Sequence, residues 1–390
     1  MNEKMSDSIH KPGMKYPDIH GYCDQRFSAV KDAFANNFES GLEVGASFSA
    51  TIDGEYVIDI WGGYSDAAQT IHWERDTITN VYSTTKTMVT LCALVLIDRG
   101  QLKIDSLVSD YWPEFAQAGK EKIIVRWLLS HSAGLSGFNV PLSLEDMYDW
   151  DKIIRIIEQQ EPWWEPGTKS GYHMVTFGYL VGELVRRISG KSIGTFFRDE
   201  VAIPLGADFH IGLAEEHDTR VAELIPPPSM EPPYIEPDSI IGKTLFNTPI
   251  IPGYSDRAWR AAEIPSSDGH GNARSLARIG SLLACGGKLD GLHFLSQATI
   301  DEAITEQFND IDIVMGVPIR WGLGFGLANK KLDYLNPRTF YWGGFGGSWL
   351  EMDPDSRMCF SYVMNKLELD PNGDKRMIAL RNSLLSAMRL

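Results

Sequence analysis

The sequence predicts an α+β fold, in which an antiparallel sheet is flanked by helices and joined to a mostly helical second domain. Two alternating segments near the start, 45–52 and 55–61, are connected by Asp53-Gly54, a dipeptide typical of a tight hairpin turn. Strand-like segments return near the end of the chain, between glycine and proline breaks, at 321–327, 339–343, 348–353 and 358–365. Because the segments between these two groups have helical spacing, we expect strands from both ends of the chain to form one sheet.

Helices are predicted where apolar residues recur every three or four positions, or where an apolar run ends at a glycine. The segment 84–99 is apolar nearly all round and is followed by Gly100, which is typical of a buried helix. Two stretches rich in proline and bulky residues, 159–167 and 225–252, are expected to be long loops that help to shape a site. The predicted helices are 24–38, 84–99, 125–130, 177–189, 272–285 and 375–390.

This order of segments predicts how the chain is divided. Residues 1–20 are polar and are expected to form an N-terminal tail. Residues 21–110 and 271–390 are expected to form an α/β domain that contains the sheet. Residues 111–270 are expected to form a mainly helical domain with long loops.

The composition argues against several classes of function. With a net charge of −16 the chain would repel a phosphate backbone, so a nucleic-acid partner is not expected. The longest apolar stretch, 88–97, is too short to cross a bilayer, and residues 1–17 lack the apolar core of a secretory signal. The four cysteines show no C-x-x-C spacing, and the nine histidines show no metal-ligand spacing. We therefore expect a soluble, cytoplasmic protein without membrane contact, cofactor or metal; its oligomeric state stays open.

The pattern Ser-x-x-Lys, which can pair a nucleophile with a base, occurs three times, at 8–11, 28–31 and 83–86. The first copy lies in the polar tail. The second lies in a surface-type helix, where the serine hydroxyl would face solvent or bond back to the chain. The third opens the apolar helix 84–99, and this context favours it as the candidate site.

Ser83 is predicted to lie at the start of a buried helix, where unpaired N–H groups and the positive end of the helix dipole can stabilise an oxyanion. Lys86 is three residues further along and on the same face, within reach of the hydroxyl. In a desolvated setting the pKa of a lysine falls, so its neutral amine can accept the serine proton. The alternative is a serine that caps the helix and a lysine that extends to solvent. A buried apolar helix disfavours that alternative, because a charged Lys86 would need a partner.

At these residues the sequence resembles the serine β-lactamase-like hydrolases. The segment 82–86, Tyr-Ser-Thr-Thr-Lys, is similar to the start of their active site. Further segments resemble the family's motifs in the same order and span about residues 20–385: 128–135, with Ala133 in place of a serine, 164–167, 171–174, 204–206, 269–273 and 342–348. The resemblance implies a β-lactamase/transpeptidase-like fold.

Within that superfamily the resemblance is strongest to family VIII carboxylesterases, whose fold is similar to that of class C β-lactamases and D-Ala-D-Ala peptidases. It implies that Tyr172 relays protons beside the serine–lysine pair, as a phenol whose pKa is lowered by the lysine ammonium. The alternative role for Tyr172 is a core tyrosine with one satisfied hydroxyl. The resemblance also implies an oxyanion hole made by the backbone N–H groups of Ser83 and Phe345.

Two positions depart from the pattern of class C β-lactamases. Met174 stands where those enzymes carry an asparagine that contacts the substrate amide, and a thioether cannot form such a bond. Trp342-Gly343-Gly344 stands where they carry Lys-Thr-Gly, whose lysine would recognise a carboxylate. Both losses favour uncharged esters over penicillins. The predicted substrate-binding residues are Trp342, Gly343, Gly344 and Met174.

The sequence thus predicts a carboxylesterase that cleaves short-chain esters through an acyl-enzyme on Ser83, with Lys86 and Tyr172 as the base and a small-molecule ester as the partner. The alternatives are an acyltransferase, an amidase or a weak β-lactamase with the same acyl-enzyme, and a binding protein on the same fold. His131 is expected to be structural, since no acid marks a triad with the serine. An α/β-hydrolase is not indicated, because the sequence has no Gly-x-Ser-x-Gly.

Overall fold

The computed structural model describes residues 18–227, 234–249, 253–330, 332–370 and 373–390. Within these ranges the strands are β1 (Ile19–Cys23), β2 (Gly45–Ile52), β3 (Glu55–Gly63), β4 (Thr79–Asn80), β5 (Phe209–His210), β6 (His270–Gly271), β7 (Lys288–Leu289), β8 (Leu292–His293), β9 (Phe308–Ile311), β10 (Pro318–Trp321), β11 (Gly326–Leu327), β12 (Phe340–Gly343), β13 (Trp349–Asp353) and β14 (Met358–Met364). The α-helices are α1 (Ser28–Glu39), α2 (Thr85–Asp98), α3 (Val125–Leu129), α4 (Leu144–Tyr148), α5 (Trp150–Gln159), α6 (Thr176–Ser189), α7 (Ile193–Phe197), α8 (Ile203–Leu205), α9 (Ile240–Phe246), α10 (Arg257–Ala261), α11 (Ala273–Ala284), α12 (Gln297–Ala303) and α13 (Lys375–Met388). A π-helical turn, Arg198–Ala202, continues α7, and short 3-10 turns are Gln25–Phe27, Tyr82–Thr84, Val108–Asp110, Pro113–Phe115 and Glu215–Arg220.

One large antiparallel sheet has the strand order β1-β3-β2-β14-β13-β12-β11-β10-β9. At its centre β2 pairs with β14, which places Phe48 opposite Tyr362 and joins the two ends of the chain. Successive side chains of a strand point to opposite faces of the sheet. Phe48 therefore lies in an apolar layer with α1 and α13, whereas the hydroxyls of Ser47 and Thr51 form hydrogen bonds with α11. The expected α+β fold, with strands from both ends in one sheet, is confirmed.

A second group of helices surrounds α2, in which every residue from Thr85 to Leu96 is buried. The helices α6, α7 and α12 contact it and share its apolar core. Because α2 is apolar on nearly all sides, it is stable only when the surrounding helices cover its whole surface, as they do here. The short sheet β4-β6-β5 fixes the segment just before α2. Among the described helices, none is long and apolar enough to cross a membrane.

The segment 321–327 differs from the expected single strand. Its two ends are separate strands, β10 and β11, and Trp321 pairs antiparallel with Gly326. Gly322 N–H donates to Phe325 O at 2.9 Å, and Gly324 adopts a φ of 75°. Three alternating glycines in this segment permit a sharp turn that a strand-like pattern conceals.

Two segments expected to be irregular contain regular structure. The tail 1–20 ends earlier than expected, because β1 begins at Ile19 and pairs with β3, while residues 1–17 lie outside the described ranges. The expected loop 225–252 contains α9, and parts of it also lie outside those ranges. The division of the chain into two domains stays a prediction.

Candidate active site

Ser83 lies in the 3-10 turn Tyr82–Thr84, between β4 and the first residue of α2. The residue before it, Tyr82, adopts a φ of 43°, a left-handed conformation that bulky residues rarely take. The Thr85 hydroxyl holds this conformation, since it donates to Tyr82 O at 2.5 Å and accepts from Gly269 N–H at 3.0 Å. The strained turn presents Ser83 to a cavity of about 570 Å³.

Lys86 follows on the same side of the helix, with only 1% of its surface exposed. Its Nζ lies 3.2 Å from Ser83 Oγ, 2.6 Å from Met174 O and 3.1 Å from Ser266 O. None of these three partners is a carboxylate, so no negative charge offsets the lost hydration of an ammonium group. Burial therefore holds the pKa of Lys86 well below its usual value.

The contacts of Lys86 fit a neutral amine. Such an amine has two N–H groups and one lone pair. In the neutral form the carbonyls of Met174 and Ser266 accept from both N–H groups and the lone pair is left for Ser83 Oγ, whereas in the ammonium form all three oxygens accept an N–H. In this arrangement the amine can accept the serine proton.

The Tyr172 hydroxyl donates to Ser83 Oγ at 2.8 Å, and the centre of its ring lies 4.8 Å from Lys86 Nζ. Its backbone N–H donates to the buried carboxylate of Asp312 at 2.9 Å, which also accepts from Trp321 Nε1 at 3.1 Å. Burial raises the pKa of the Tyr172 phenol, so the hydroxyl stays protonated. The expected lowering of that pKa by a lysine ammonium is wrong for the free protein, because the burial that discharges the lysine also disfavours a phenolate.

The glycine-rich segment 343–347 lies beside the nucleophile and is fixed there by Ser348. The Ser348 hydroxyl bonds to Val81 O at 2.8 Å and lies 2.9 Å from Thr84 Oγ1, one on each side of the turn that carries the nucleophile. A side chain at Gly344 would collide with Val81 O, so this approach requires a glycine. The loop and the nucleophile turn therefore form one packed unit.

Phe345 belongs to this loop, and its ring packs edge-on against Tyr82 with centroids 5.4 Å apart. The loop has its own hydrogen bonds, from Gly344 N–H to Ser348 O at 2.8 Å and from Gly347 N–H to Gly344 O at 3.2 Å. Neither of them uses the Phe345 N–H. Because Ser83 and Phe345 both line the cavity, the two predicted oxyanion donors come from adjacent parts of its wall.

The cavity wall is mostly apolar, and all four predicted substrate-binding residues line it: Met174, Trp342, Gly343 and Gly344. Among the described lining residues there is no lysine or arginine, whereas Glu368 and Asp374 are present. A negatively charged substrate group would therefore find no lysine or arginine partner among the described residues of this wall.

His131 is buried among aromatic rings, with ring centroids 4.4 Å from Trp321 and 5.2 Å from Tyr172. Its Nδ1 accepts a hydrogen bond from His173 N–H at 3.1 Å, and burial holds its pKa well below the usual value. No hydrogen bond joins it to Ser83 in the part of the chain that the structure describes. A neutral, structural histidine accounts for these contacts. In the same ranges no cluster of histidine, cysteine or acidic residues is placed to hold a metal ion.

The three copies of Ser-x-x-Lys have different surroundings. The copy at 83–86 begins at the cavity wall. The copy at 28–31 lies on α1, where Ser28 and Lys31 are exposed to solvent. The copy at 8–11 lies outside the described ranges. Burial of the helix, which favoured the third copy in the sequence, is thus also what separates 83–86 from 28–31 in the structure.

Three residues that build the site were missed by sequence reasoning. Ser266 contributes only its backbone carbonyl, which no residue type marks. Asp312 accepts four hydrogen bonds next to Tyr172, yet in the sequence it is one acid among many. Ser348 carries the clearest signal, since it ends the glycine run and has a hydroxyl that can fix a loop without side chains.

The whole site lies in the part of the chain that resembles known proteins. The sequence matches the family described as Beta-lactamase over residues 34–383. It is 32% identical over 371 residues to the esterase/beta-lactamase LipL of Mycobacterium tuberculosis, a match that covers 90% of this chain and 83% of that protein. The crystal structure of a family VIII carboxylesterase matches with a TM-score of 0.89 at 41% identity, covering 95% of this chain and all of that one. A penicillin-binding protein homologue from Caulobacter crescentus has the same TM-score of 0.89 at 39% identity and the same coverage.

Proposed function

Because this chain belongs to the Beta-lactamase family and is an esterase/β-lactamase-like hydrolase, we propose that it is a carboxylesterase that cleaves short-chain esters through an acyl-enzyme on Ser83. One observation carries the proposal. Ser83 Oγ lies 3.2 Å from Lys86 Nζ and 2.8 Å from the Tyr172 hydroxyl oxygen, at the wall of an apolar cavity. A hydroxyl between a neutral amine and a phenol is equipped to lose a proton and attack a carbonyl.

In the first half-reaction Ser83 Oγ attacks the carbonyl carbon of the ester. Its proton passes to the neutral amine of Lys86 as the new C–O bond forms. The Tyr172 hydroxyl then gives its proton to the departing alkoxide, and the Lys86 ammonium restores that proton to the phenol. The alcohol leaves, the serine is acylated, and both helper groups return to their neutral forms.

The negative charge that develops on the carbonyl oxygen is stabilised by two backbone N–H groups, those of Ser83 and Phe345. The first lies at the positive end of α2, and the second is not used by the bonds within its own loop. A donor of this kind contributes about 2.7–4 kcal/mol to transition-state stabilisation.

In the second half-reaction water takes the place of the alcohol. The neutral amine of Lys86 accepts a proton from the water as its oxygen attacks the acyl carbon. The bond to Ser83 Oγ breaks, the serine recovers a proton from the same relay, and the carboxylic acid leaves. In each half-reaction Lys86 thus takes up the first proton as the base, and the Tyr172 hydroxyl, which Lys86 then reprotonates, acts as the acid.

The proposal extends to uncharged esters as the substrate class. Met174 and Trp342 are apolar where a β-lactam would need an amide or a cation. Glu368 adds a carboxylate to the cavity wall, whereas the carboxylate of Asp374 is paired with Arg376. Esters without a carboxylate avoid both mismatches.

Replacement of the nucleophile tests the proposal. Ser83→Ala should lower kcat on p-nitrophenyl acetate and butyrate by about 10⁴-fold or more. Ser28→Ala, in the exposed copy of the same pattern, should leave kcat unchanged. A fluorophosphonate should label the wild-type protein and Ser28→Ala but not Ser83→Ala. A folded Ser83→Ala protein with full activity would refute the acyl-enzyme.

A second activity with the same acyl-enzyme is favoured by one observation, the name of the mycobacterial relative, which joins esterase with beta-lactamase. Nitrocefin hydrolysis measures β-lactam cleavage, and analysis of products formed with a competing alcohol or amine measures acyl transfer. We expect ester hydrolysis to exceed nitrocefin hydrolysis by at least about tenfold in kcat/KM, since the described residues of the cavity wall include no lysine or arginine for a β-lactam carboxylate. Nitrocefin turnover equal to ester turnover would make the β-lactamase the better proposal.

A further inference from the structure

Two peptide groups connect the Phe345 N–H to the buried side chain of Arg376. In the first, the N–H of Phe345 and the oxygen of Gly344 point in opposite directions, as they do in any trans peptide. Gly344 O accepts a hydrogen bond from Gly347 N–H at 3.2 Å. The second peptide joins Gly346 to Gly347. Its oxygen, Gly346 O, points away from the Gly347 N–H and accepts a hydrogen bond from Arg376 Nη2 at 3.2 Å. The guanidinium and the two peptides thus form one continuous series that ends at the Phe345 N–H.

The glycine-rich loop cannot fix this series alone. Gly346 and Gly347 adopt φ values of 88° and 124° and have no side chains to pack. The orientation of their shared peptide depends on donors outside the loop, which are Arg376 Nη2 and the Glu368 N–H at 3.0 Å. Of these two donors, only the guanidinium carries a charge.

Arg376 is held firmly at the start of α13, with 1% of its surface exposed. Its guanidinium pairs with Glu43 Oε2 at 3.1 Å and with Asp374 Oδ2 at 2.6 Å, and it donates to Lys366 O at 2.8 Å. A planar guanidinium with several partners in its fork has one orientation. The donor that reaches Gly346 O is therefore fixed from outside the loop.

We propose that Arg376 is a positioning residue for ester hydrolysis, which orients and polarises the Phe345 N–H through the two intervening peptides. Hydrogen-bonded groups in series polarise one another, so a positive charge at Gly346 O strengthens each following donor. The last donor in the series faces the oxyanion. This inference rests on the proposed function, in which Phe345 N–H stabilises that oxyanion.

The variant Arg376→Lys tests the inference. It keeps a positive charge beside Glu43 and Asp374 but loses the fork that reaches Gly346 O. We expect kcat on p-nitrophenyl butyrate, per site titrated with a fluorophosphonate, to fall about tenfold, less than the loss of a whole oxyanion donor. KM should change by less than about twofold, because the lost interaction is made in the transition state.

A second readout separates positioning from a merely structural role. A trifluoromethyl ketone forms an oxyanion adduct with the serine, so its affinity should fall by the same factor as kcat in Arg376→Lys. A structural defect would reduce the titratable fraction without linking kcat per site to that affinity. Should Arg376→Lys fail to fold, the charge-neutral double variant Glu43→Gln/Arg376→Gln takes its place, with a larger expected loss because no charge then reaches Gly346 O.

Arg381→Lys is the matched control. Arg381 lies on the same helix, is also buried, pairs with Glu351 at 2.8 Å and donates to Asp333 O at 2.8 Å, but it does not bond to the glycine-rich loop. It should keep the wild-type kcat per titrated site. Wild-type kcat and ketone affinity in a folded Arg376 variant, or an equal loss in Arg381→Lys, would overturn the inference.

The two proposals fail in different ways. If Ser83→Ala is active, the proposed function falls and the role of Arg376 falls with it. If Ser83→Ala is inactive while Arg376→Lys keeps full kcat per site, only the role of Arg376 is overturned.

Discussion

Lys86 and Arg376 are equally buried cationic side chains in opposite surroundings. Lys86 Nζ meets a hydroxyl and two backbone carbonyls, whereas the Arg376 guanidinium meets the carboxylates of Glu43 and Asp374. Burial lowers the pKa of Lys86, since no carboxylate in the described ranges contacts its Nζ to raise that pKa again. Burial also acts to lower the pKa of Arg376, but Tyr362, Glu43 and Asp374 outweigh it and the pKa is raised. The chemistry of the partners, and not the depth of burial, decides which of the two side chains stays charged.

The difference separates two tasks. A lysine that takes a proton from a serine has to be neutral first, so a site without carboxylates suits it. An arginine that polarises a loop has to stay charged, so a site with carboxylates suits it. Replacing Lys86 and replacing Arg376 should therefore lower kcat by different factors.

Replacement of Lys86 should produce the largest effect. Lys86→Met removes the amine. Lys86→Arg replaces it with a guanidinium, which stays protonated and cannot act as a base. We expect kcat on p-nitrophenyl butyrate to fall by about 10³–10⁴-fold in both variants. Substantial activity in Lys86→Arg would mean that the site needs a positive charge and not a base. Lys86 would then act as a fixed charge, as Arg376 does.

Lys120 provides the matched control for this prediction. It is also 1% exposed, and its Nζ donates to Gln117 O, Glu158 O and Gln160 O at 2.9, 2.8 and 2.6 Å. Burial lowers its pKa to about 8, yet it does not line the cavity. Lys120→Met should therefore destabilise the fold and keep kcat per folded molecule. A loss of kcat equal to that of Lys86→Met would point to general damage from removing a buried lysine.

Removal of the Tyr172 hydroxyl should have a smaller effect. Tyr172→Phe keeps the ring beside Lys86 and loses only the 2.8 Å contact with Ser83 Oγ, so kcat should fall by about 10²–10³-fold. The control is Tyr179→Phe, in which a buried hydroxyl that donates to Met147 O at 2.5 Å is lost at a cost of about 1 kcal/mol in stability. If Tyr172→Phe keeps wild-type kcat, Lys86 alone moves the proton.

The sequence predicts the local part of this site and not the distant part. Ser83 and Lys86 are three residues apart on one helix, so helical geometry alone brings them together. The carbonyls that accept hydrogen bonds from the lysine, those of Met174 and Ser266, come from 88 and 180 residues away. Arg376 lies in an amphipathic terminal helix, where an arginine is usually exposed, and its burial depends on a glutamate 333 residues away. No local spacing encodes such contacts.

The fold shows the same limit. The hairpin of β2 and β3 was predicted because its turn dipeptide and its alternation are both local signals. The edge strands β1 and β9 were missed because most of their residues are exposed and carry no apolar alternation. Their backbones pair with a neighbour that the sequence does not identify.

The smallest expected effect concerns stability and its dependence on pH. In the unfolded chain a lysine has a pKa of about 10.4, and in the folded chain the pKa of Lys86 lies well below its usual value. At a pH below the folded pKa the full penalty for burying this lysine is present. Between the two pKa values the unfolded chain holds a proton that the folded chain has lost, so the penalty shrinks as the pH rises. The free energy of unfolding of the wild type, relative to Lys86→Met, should therefore increase with pH by up to about 1.4 kcal/mol per pH unit within that window.

Urea unfolding of the wild type, Lys86→Met and Lys120→Met across about pH 6–9 measures this slope. For Lys120, whose folded pKa is about 8, the difference between wild type and variant should be flat below that pH and rise only above it. Glu121 and Glu158 act to raise the pKa of Lys120 and so limit the lowering caused by burial. In the part of the chain that the structure describes, no carboxylate limits the lowering for Lys86, so its slope should extend to lower pH. A flat difference for Lys86 over the whole range would mean that the folded chain holds an ammonium group there. The lysine would then be a fixed charge like Arg376, and the serine would need another base.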